Sequence, residues 1–223
     1  GGSALSRKCD VSSTRSMEAL ANWVEKELGA PDIVVNNAGI GLSGSLLDTS
    51  VKDWQQVLGV NLWGVIHGCE IFTPGMRAAG KGGFINVASA AGFAAAPLMG
   101  PYNVGKAGVM SLSETMAAEL SGTGIRVTVL CPTFVKTNVA IDGRITDTGA
   151  KLAGNLMAST GFSPERIAVD TLNKYDRGRL YVVPQIDAKL IWRLKRIAPA
   201  LYTRTLGLLG RFAPQESTEK AGV

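Results

Sequence analysis

Apolar residues along the chain follow two alternating patterns. Short, nearly unbroken apolar runs are typical of buried parallel strands. They occur at five places, the first of them weak: residues 4–7, 32–35, 84–88, 125–130 and 179–183. Between these runs lie longer segments with apolar residues at helical spacing, such as Met17, Leu20, Val24 and Leu28. The alternation predicts an α/β fold with a doubly wound parallel sheet, similar to a Rossmann fold.

Short polar residues and glycines mark the predicted helix ends. Ser12 and Ser13 are suited to begin the first helix, because a serine hydroxyl accepts a hydrogen bond from a free backbone N–H, and Gly29 is suited to end it. Further helices are predicted over residues 51–79, 101–120 and 163–174. The helix over residues 101–120 has small residues on several faces, so we expect a neighbouring helix to approach it closely.

Two segments differ from this alternation. Residues 137–162 have weak periodicity and many glycines and threonines, which predicts a mobile segment over a site. Residues 185–223 are predicted to form a helical extension at the end of a single catalytic domain that spans residues 1–223, with Pro199 dividing two helices. The helix predicted before Pro199 has an apolar stripe that continues past this proline. Its members are Ile186, Leu190, Leu194, Ile197 and Leu201.

The apolar stripe of the extension has to be buried somewhere. Lys189, Arg193 and Arg196 lie on another face of the same predicted helix. We expect the stripe to pack on its own domain or on a sister subunit, bordering the substrate pocket or a subunit contact. The alternative is a peripheral contact with a membrane surface, to which a helix with apolar and basic faces is suited.

Composition narrows the class of protein. The chain has 223 residues, of which 46% are hydrophobic and 18% charged, so it is long enough for a sizeable core and is not typical of a disordered protein. The net charge of +5 comes largely from the C-terminal segment, so no nucleic-acid partner is predicted. No apolar run is long enough to span a bilayer, and no signal peptide is recognisable.

Histidine and cysteine are scarce. The single histidine, His67, nearly excludes a His-rich metal site, and we expect it to be a surface or packed residue. Cys9, Cys69 and Cys131 follow no metal-ligand spacing and lie in apolar contexts, so we expect packed free thiols and no bound metal. The lack of a disulfide pattern predicts a reducing, cytoplasmic location, with membrane association as a further option.

Four polar residues stand out as candidates for chemistry. Tyr102 and Lys106 are four residues apart on a predicted helix, so their side chains share a face. Ser89 follows a predicted strand, at the carboxyl edge where doubly wound sheets bind ligands. Asn61 lies inside a long predicted helix, where a short polar side chain is unfavourable unless its amide makes another contact.

These residues, with several motifs, resemble the short-chain dehydrogenase/reductase family. The motifs are Asp10-Val11, Asn36-Asn37-Ala38-Gly39, Tyr102-x-x-x-Lys106 with Ser89 thirteen residues before the tyrosine, and the segment that begins at Pro132. A Tyr-x-x-x-Lys motif alone is weak evidence, but the ordered set is specific. The resemblance covers the chain from Cys9 to about Pro184.

The resemblance implies hydride transfer between NAD or NADP and a secondary alcohol or ketone. It implies catalytic roles for Asn61, Ser89, Tyr102 and Lys106. It also implies that ten residues contact the cofactor: Asp10, Val11, Asn37, Ala38, Gly39, Tyr102, Lys106, Pro132, Val135 and Thr137. In this reading Asn36 is structural, and Asn61 holds a water that links Lys106 to solvent.

The residue types suit this chemistry. Hydride transfer to a carbonyl carbon leaves negative charge on oxygen, and a phenol can supply the proton that this oxygen needs. A free tyrosine has a pKa of about 10. A neighbouring ammonium such as that of Lys106 is expected to lower the pKa of Tyr102. The Ser89 hydroxyl can donate a hydrogen bond to the developing oxyanion.

The chain departs from the family pattern at its beginning. The family begins with a strand, a glycine-rich turn that binds the pyrophosphate, and a helix. No such turn is found here, and the resemblance implies that the first strand-helix-strand unit is missing from this chain. The part that would distinguish NAD from NADP is therefore not readable. A second departure is Thr133, because the family usually has glycine after the proline.

Other inferences concern the substrate and the assembly. Apolar residues expected near the site predict a hydrophobic small-molecule substrate: Phe93, Leu98, Met99 and Phe134, with Pro97 beside them. The resemblance implies a homodimer or homotetramer paired through the two long helices. A non-catalytic binding or regulatory protein, and an epimerase or dehydratase on the same scaffold, remain alternatives.

Overall fold

The computed structural model describes residues 2–135 and 161–210. The strands are β1 (Val34–Asn36), β2 (Gly82–Val87), β3 (Ile125–Leu130) and β4 (Tyr181–Val182). The first helices are α1 (Thr14–Leu28), α2 (Val51–Leu58), a π-helical segment (Gly59–Trp63) and α3 (Gly64–Ala79). The remaining helices are α4 (Ala91–Ala94), α5 (Gly100–Glu119), α6 (Pro164–Asp176), α7 (Ile186–Ile197) and α8 (Pro199–Gly210).

The described strands form one parallel sheet in the order β1-β2-β3-β4. Side chains of β3 alternate between its two faces. Val127 and Val129 join the larger core with helices α3 and α5, whereas Leu130 packs with Ile167 of α6 and Val182 of β4. Both faces of the sheet are therefore covered by helices, which confirms the predicted doubly wound α/β fold.

The predicted ends of α1 and the close helix approach at α5 are confirmed, whereas the helix predicted over residues 51–79 is interrupted by the π-helical segment. The Ser13 side chain accepts a hydrogen bond from the Ser16 N–H (3.3 Å), and Gly29 ends α1 with a φ of 77°. A Cβ atom added to Gly108 of α5 would lie 2.9 Å from the Leu62 side chain. A side chain at this position would force the Leu62 side chain to shift, so the glycine lets the π-helical segment lie close to α5.

The expectation of a strand at residues 4–7 is wrong. These residues have no regular secondary structure, and most of their side chains are exposed. β1 pairs with β2, and no described strand lies on its other side. Without a neighbouring strand, the N–H and C=O groups of residues 4–7 have no ladder in which to bond. The local apolar pattern was therefore not sufficient for a strand.

The C-terminal extension forms two helices, and their boundary at Pro199 is confirmed. Burial of the stripe on its own domain is contradicted for the described residues. Ile186, Leu190, Leu194, Ile197 and Leu201 are between 53% and 83% exposed. The opposite face of α7 packs instead, with Ala188 fully buried and Trp192 stacked on Phe93 at 5.8 Å between ring centroids.

The structure bears on the segment predicted to be mobile and on the question of membrane-spanning helices. The segment predicted to be mobile, residues 137–162, lies outside them except for its last two positions, of which Phe162 forms a bridge with Val135. Within residues 2–135 and 161–210, every helix is too short or too polar to cross a bilayer.

Candidate active site

The turns that follow the strands meet at the carboxyl edge of the sheet. Backbone pairing continues beyond β2 and β3, because the Ala88 N–H donates to the Leu130 carbonyl and the Ala90 N–H to the Pro132 carbonyl, both at 2.8 Å. Ser89 lies between these two bonds, and its Oγ is 3.4 Å from the Pro132 carbonyl oxygen. The sheet therefore brings Ser89 and the Pro132 segment side by side.

A buried polar chain supports this edge from within. Asn36 Nδ2 donates to Asn86 Oδ1 at 2.8 Å, and Asn86 Nδ2 donates to Ser113 Oγ at 3.0 Å. Asn86 and Ser113 are fully buried, in β2 and α5. The expected structural role of Asn36 is thus confirmed. Its partners were not predicted, because Asn86 and Ser113 lie far from Asn36 along the chain and only the fold brings them together.

Asn61 ties the turn after β1 to the π-helical segment. Its Oδ1 accepts from the Ile40 N–H at 2.8 Å, and its Nδ2 donates to the Ile40 carbonyl at 2.9 Å. The wider π-helical turn contains this buried residue. Both ends of the amide are thus engaged with the turn next to Gly39. The water between Asn61 and Lys106 that the resemblance implies stays a prediction.

Tyr102 and Lys106 project from the same face of α5. The Lys106 Nζ atom is 5.7 Å from the centroid of the Tyr102 ring and donates to the Val87 carbonyl at 2.8 Å. Val87 ends β2, so the ammonium is anchored two residues before Ser89. One of its three protons is used there, and two remain for other acceptors.

The two side chains have shifted pKa values. Burial raises the pKa of Tyr102 above its usual value, while a hydrogen bond with Ser89 acts in the opposite direction. This contradicts the expectation that Lys106 would lower the pKa of Tyr102. The cost of burying a phenolate prevails here, because the Lys106 ammonium is held against Val87 and does not contact the hydroxyl.

Lys106 itself is almost fully buried, at 3% exposed. Burial lowers the pKa of this lysine to about 8, and the nearby Cys131 thiol acts in the opposite direction. Burial also raises the pKa of the Cys131 thiol to about 12. The thiol is therefore neutral at pH 7 and has the packing role predicted for it.

The Asp10-Val11 pair lies beside α3. The Val11 carbonyl accepts from His67 Nδ1 at 2.9 Å, and the Thr14 hydroxyl contacts His67 Nε2 at 3.1 Å. His67 is buried, so it is the packed histidine that was expected, and it holds the Val11 backbone against α3. Asp10 is exposed, and its hydrogen bonds with Ser12 lower the pKa of its carboxyl group.

The segment that begins at Pro132 is held by a residue that sequence reasoning missed. Buried Gln185 accepts from the Thr133 N–H at 3.2 Å and donates to the Phe134 carbonyl at 3.0 Å. Thr133, which replaces the usual glycine, places its hydroxyl 3.4 Å from Asp187. Pro132 is buried and Val135 partly buried. Thr137 lies outside the described residues.

A cleft of about 190 Å³ lies between α1, β1 and α3 and is lined in part by three of the residues expected to contact the cofactor, Val11, Asn37 and Ala38. Asn37 and Ala38 are exposed at its rim. Gly39 lies at the back of the turn, where an added Cβ would be 3.3 Å from Asn61 Oδ1 and 3.4 Å from Lys106 Nζ. The turn can therefore approach Lys106 closely, and the exposed Asn37 side chain at its rim has amide donors and an acceptor of the kind that the hydroxyls of a nucleotide ribose need.

The residues expected in the substrate pocket are less closely grouped. Leu98 is 51% exposed with a φ of 62°, and Met99 and Phe134 are partly buried. Phe93 is buried and stacks on Trp192 of α7, so its side chain belongs to the core. Leu98 and Met99 lie just before α5, next to the Tyr102 helix turn.

Comparisons with known proteins agree with this geometry. Residues 1–147 match the family described as short chain dehydrogenase. The chain is 30% identical over 222 residues to SadH of Mycobacterium tuberculosis, a protein named as an oxidoreductase, which covers 96% of this chain and 80% of that protein. A short-chain dehydrogenase/reductase from Burkholderia phymatum, solved with NAD, has a TM-score of 0.80 and 29% identity, covering 88% of this chain and 76% of its own.

The chain therefore belongs to the short-chain dehydrogenase family. Another relative, a protein of Mycobacterium tuberculosis named probable oxidoreductase EphD, is 42% identical over 140 residues, which make up 62% of this chain. The chain spans about a quarter of the length of that relative, 24%.

Proposed function

We propose that this protein transfers hydride between NAD or NADP and a secondary alcohol or ketone. The observation that carries this proposal is the placement of Ser89, Tyr102 and Lys106 at one edge of the sheet. Tyr102 and Lys106 share a face of α5, and Lys106 is hydrogen-bonded to the end of β2, from which Ser89 follows. The family of the chain supports the same reaction type.

The protein's own groups handle the proton. Tyr102, whose pKa is raised by burial, is protonated at pH 7 and can donate its proton to the oxygen of a ketone. Ser89 stabilises the negative charge on that oxygen by donating a hydrogen bond. In the oxidative direction the phenolate form of Tyr102 takes the proton from the alcohol, so this direction is favoured at higher pH, where the hydroxyl is ionised.

The turn after β1 and the end of β3 are suited to hold the cofactor. The cofactor supplies or accepts the hydride when bound. Lys106 has two protons for ribose hydroxyls, and Val11 and Asn37 line the cleft. The backbone of residues 132–135 borders the site and is held by hydrogen bonds from Gln185. Asn61 acts as a positioning residue through its two bonds to Ile40.

We infer that the substrate is hydrophobic. Leu98 and Met99 directly precede the turn of α5 that carries Tyr102, and Phe134 follows the end of β3, so apolar residues stand beside the proposed catalytic residues in the chain. Such a surface suits an apolar alcohol or ketone better than a sugar or an acid.

Replacement of Tyr102 by Phe tests the proposed reaction. A panel of secondary alcohols and ketones is followed with each cofactor at the nicotinamide absorbance. With an active substrate, Tyr102→Phe should lower kcat by about 10²–10⁴-fold, because the proton donor is lost. Its affinity for the cofactor should be nearly unchanged, since only the hydroxyl is removed.

Tyr175→Phe is the matched control, because Tyr175 is a buried tyrosine of α6 that packs beside Gly83 at the opposite end of β2. It should keep its activity. A Tyr102→Phe protein with most of its turnover would contradict the assignment of the proton donor. A protein that binds the cofactor and turns over no compound of the panel would favour the non-catalytic alternative.

A further inference from the structure

Helix α7 exposes an apolar stripe to solvent. Its members are Ile186 (73% exposed), Leu190 (60%), Leu194 (53%) and Ile197 (83%). The helix cannot simply turn these side chains inward, because its other face is already fixed in the core by Ala188, Ile191 and Trp192. In α8, Leu201 and Leu208 are seven residues apart and also exposed, at 64% and 56%.

A basic pocket adjoins the stripe. It has a volume of about 430 Å³, and Tyr181, Val183 and Trp192 form part of its lining. The rest of the lining is five cationic side chains from three parts of the chain: Lys174, Arg177, Arg179, Lys189 and Arg193. Lys189 follows Ile186 by three residues, and Arg193 follows Leu190 by three, so both cations flank the stripe along the helix. The stripe and the basic pocket therefore form one continuous surface.

The charge of this surface is largely uncompensated. Among the described residues, none that lines the basic pocket is acidic. Lys174 pairs with Asp170 at 2.7 Å, whereas the described part of the chain shows no ion pair for Arg177, Arg179, Lys189 or Arg193. The acidic residue of α7, Asp187, lies near the Thr133 hydroxyl and away from the pocket.

We propose that α7, with the basic pocket beside it, docks on an anionic phospholipid surface. The exposed leucines and isoleucines enter the headgroup boundary, and the flanking lysine and arginines contact lipid phosphates. This arrangement buries the stripe without moving the core face of the helix. It would also bring the enzyme to the surface in which apolar alcohols and ketones dissolve.

Charge complementarity favours a lipid surface over a second copy of the chain. A two-fold contact through this face would bring two copies of the same basic surface together, because both subunits of such an interface contribute the same patch. The cost of that repulsion would offset the burial of the stripe. An anionic bilayer satisfies both the apolar and the basic halves of the surface.

Sedimentation of the intact protein with vesicles tests this proposal. The protein should sediment with vesicles that contain phosphatidylserine, less so at high salt, and remain in solution with phosphatidylcholine alone. Lys189→Gln with Arg193→Gln should lower binding about twenty-five-fold, because each cation near an anionic surface contributes about fivefold. The matched control is Arg15→Gln with Lys52→Gln, two exposed cations on α1 and α2, which should bind like the original protein.

A second pair of variants tests the apolar half. Leu190→Gln with Ile197→Gln should lower vesicle binding by about tenfold or more, since two exposed apolar side chains no longer enter the bilayer. Leu28→Gln, at a 65% exposed position of α1, is the control and should have no effect. All these positions are exposed, so the variants should fold, which circular dichroism checks.

Three outcomes would overturn the proposal. The first is equal binding to neutral and anionic vesicles, or unchanged binding in both double variants. The second is an oligomer in sedimentation velocity that the Leu190→Gln, Ile197→Gln protein no longer forms, with no vesicle binding, which would make the stripe a contact between copies. The third is binding of inorganic phosphate at the basic pocket without vesicle binding, which would indicate a soluble anion.

Discussion

Lys106 is buried with its ammonium on one backbone carbonyl, and this costs stability in the absence of ligand. A charged group out of water is favoured only when its partners replace the lost hydration. Here one hydrogen bond to Val87 is described, and the pKa of the lysine falls to about 8. We propose that the ribose of the bound cofactor supplies further acceptors to this ammonium.

Lys106→Met should therefore remove a pH-dependent penalty from the cofactor-free protein. The folded pKa lies below the unfolded value, so the unfolded chain binds more protons between about pH 8 and 10.5. The free energy of unfolding of the original protein should rise over this interval by about 3 kcal/mol relative to the variant, at about 1.4 kcal/mol per pKa unit. Below pH 8 the full penalty remains, and there the variant should be the more stable protein.

Urea unfolding at several pH values measures this difference. Lys52→Met, at an exposed position of α2, is the control and should follow the original protein across the pH range. If the free energies of unfolding of the Lys106→Met protein and the original protein differ by the same amount from pH 7 to 10.5, burial does not lower the pKa of Lys106.

At the level of elements, the site depends on how closely α4 approaches α5. Gly92 of α4 lies against the backbone of the catalytic helix, where an added Cβ would be 2.8 Å from the Lys106 carbonyl carbon and 2.9 Å from the Ala107 nitrogen. Backbone atoms cannot give way as a flexible side chain can. The lack of a side chain at Gly92 therefore keeps Ser89 and Ala90 close to α5.

Gly92→Ala should separate α4 from α5 and damage both folding and catalysis. We expect a loss of about 1–3 kcal/mol in the free energy of unfolding, the usual cost of an overpacked contact. We also expect a lower kcat, because Ser89 would shift relative to Tyr102. Thermal unfolding and steady-state kinetics measure the two effects.

Gly207→Ala is the matched control in α8. Nothing lies within 4 Å of an added Cβ at Gly207, so this change should be neutral or slightly stabilising, as alanine is favoured over glycine in a helix. A Gly92→Ala protein that unfolds and reacts like the Gly207→Ala protein would show that α4 has room to move.

Most of the elements could be predicted from the sequence because their signals are local. The Ser13 cap, the Gly29 end, the unbroken run of β3 and the break at Pro199 each depend on neighbouring residues alone. The strand at residues 4–7 could not be decided locally, since a strand exists only beside another strand. The exposed stripe of α7 was misjudged for a related reason, because spacing identifies an apolar face but not the face that packs.

At the scale of the whole molecule, the π-helical segment and α5 form a surface through which two copies of the chain can pair. The π-helical segment and α5 pack side by side, and each carries an exposed apolar residue, Trp63 (54% exposed) and Val104 (48%). We propose that two copies pair through α2, α3 and α5, as the family resemblance implies. This contact is separate from the α7 surface, so the two proposals can fail independently.

Sedimentation equilibrium of the protein and of Trp63→Glu tests this pairing. The original protein should have at least twice the mass of one chain, and the variant should dissociate toward one chain, because a buried unpaired carboxylate is costly at an interface. Leu28→Glu, at an exposed position of α1, should leave the mass unchanged. A single-chain mass for the original protein would refute the pairing.

The sequence by itself determined the class of fold, the family and the four candidate catalytic residues. Hydrophobic periodicity is a property of neighbouring residues, and the spacing of Tyr102 and Lys106 is set by the helix repeat. Ser89 could be placed at the carboxyl edge because it directly follows a strand.

Only the tertiary structure decided which residues support that site. Asn86, itself bonded to Ser113, holds Asn36; His67 holds Val11, and Gln185 holds the segment after β3. Each of these pairs joins residues that are tens of positions apart in the chain, so no local pattern predicts it. The physical reason is that a buried polar group needs a partner in space, and the order of the strands and the packing of the helices decide which partner is within reach.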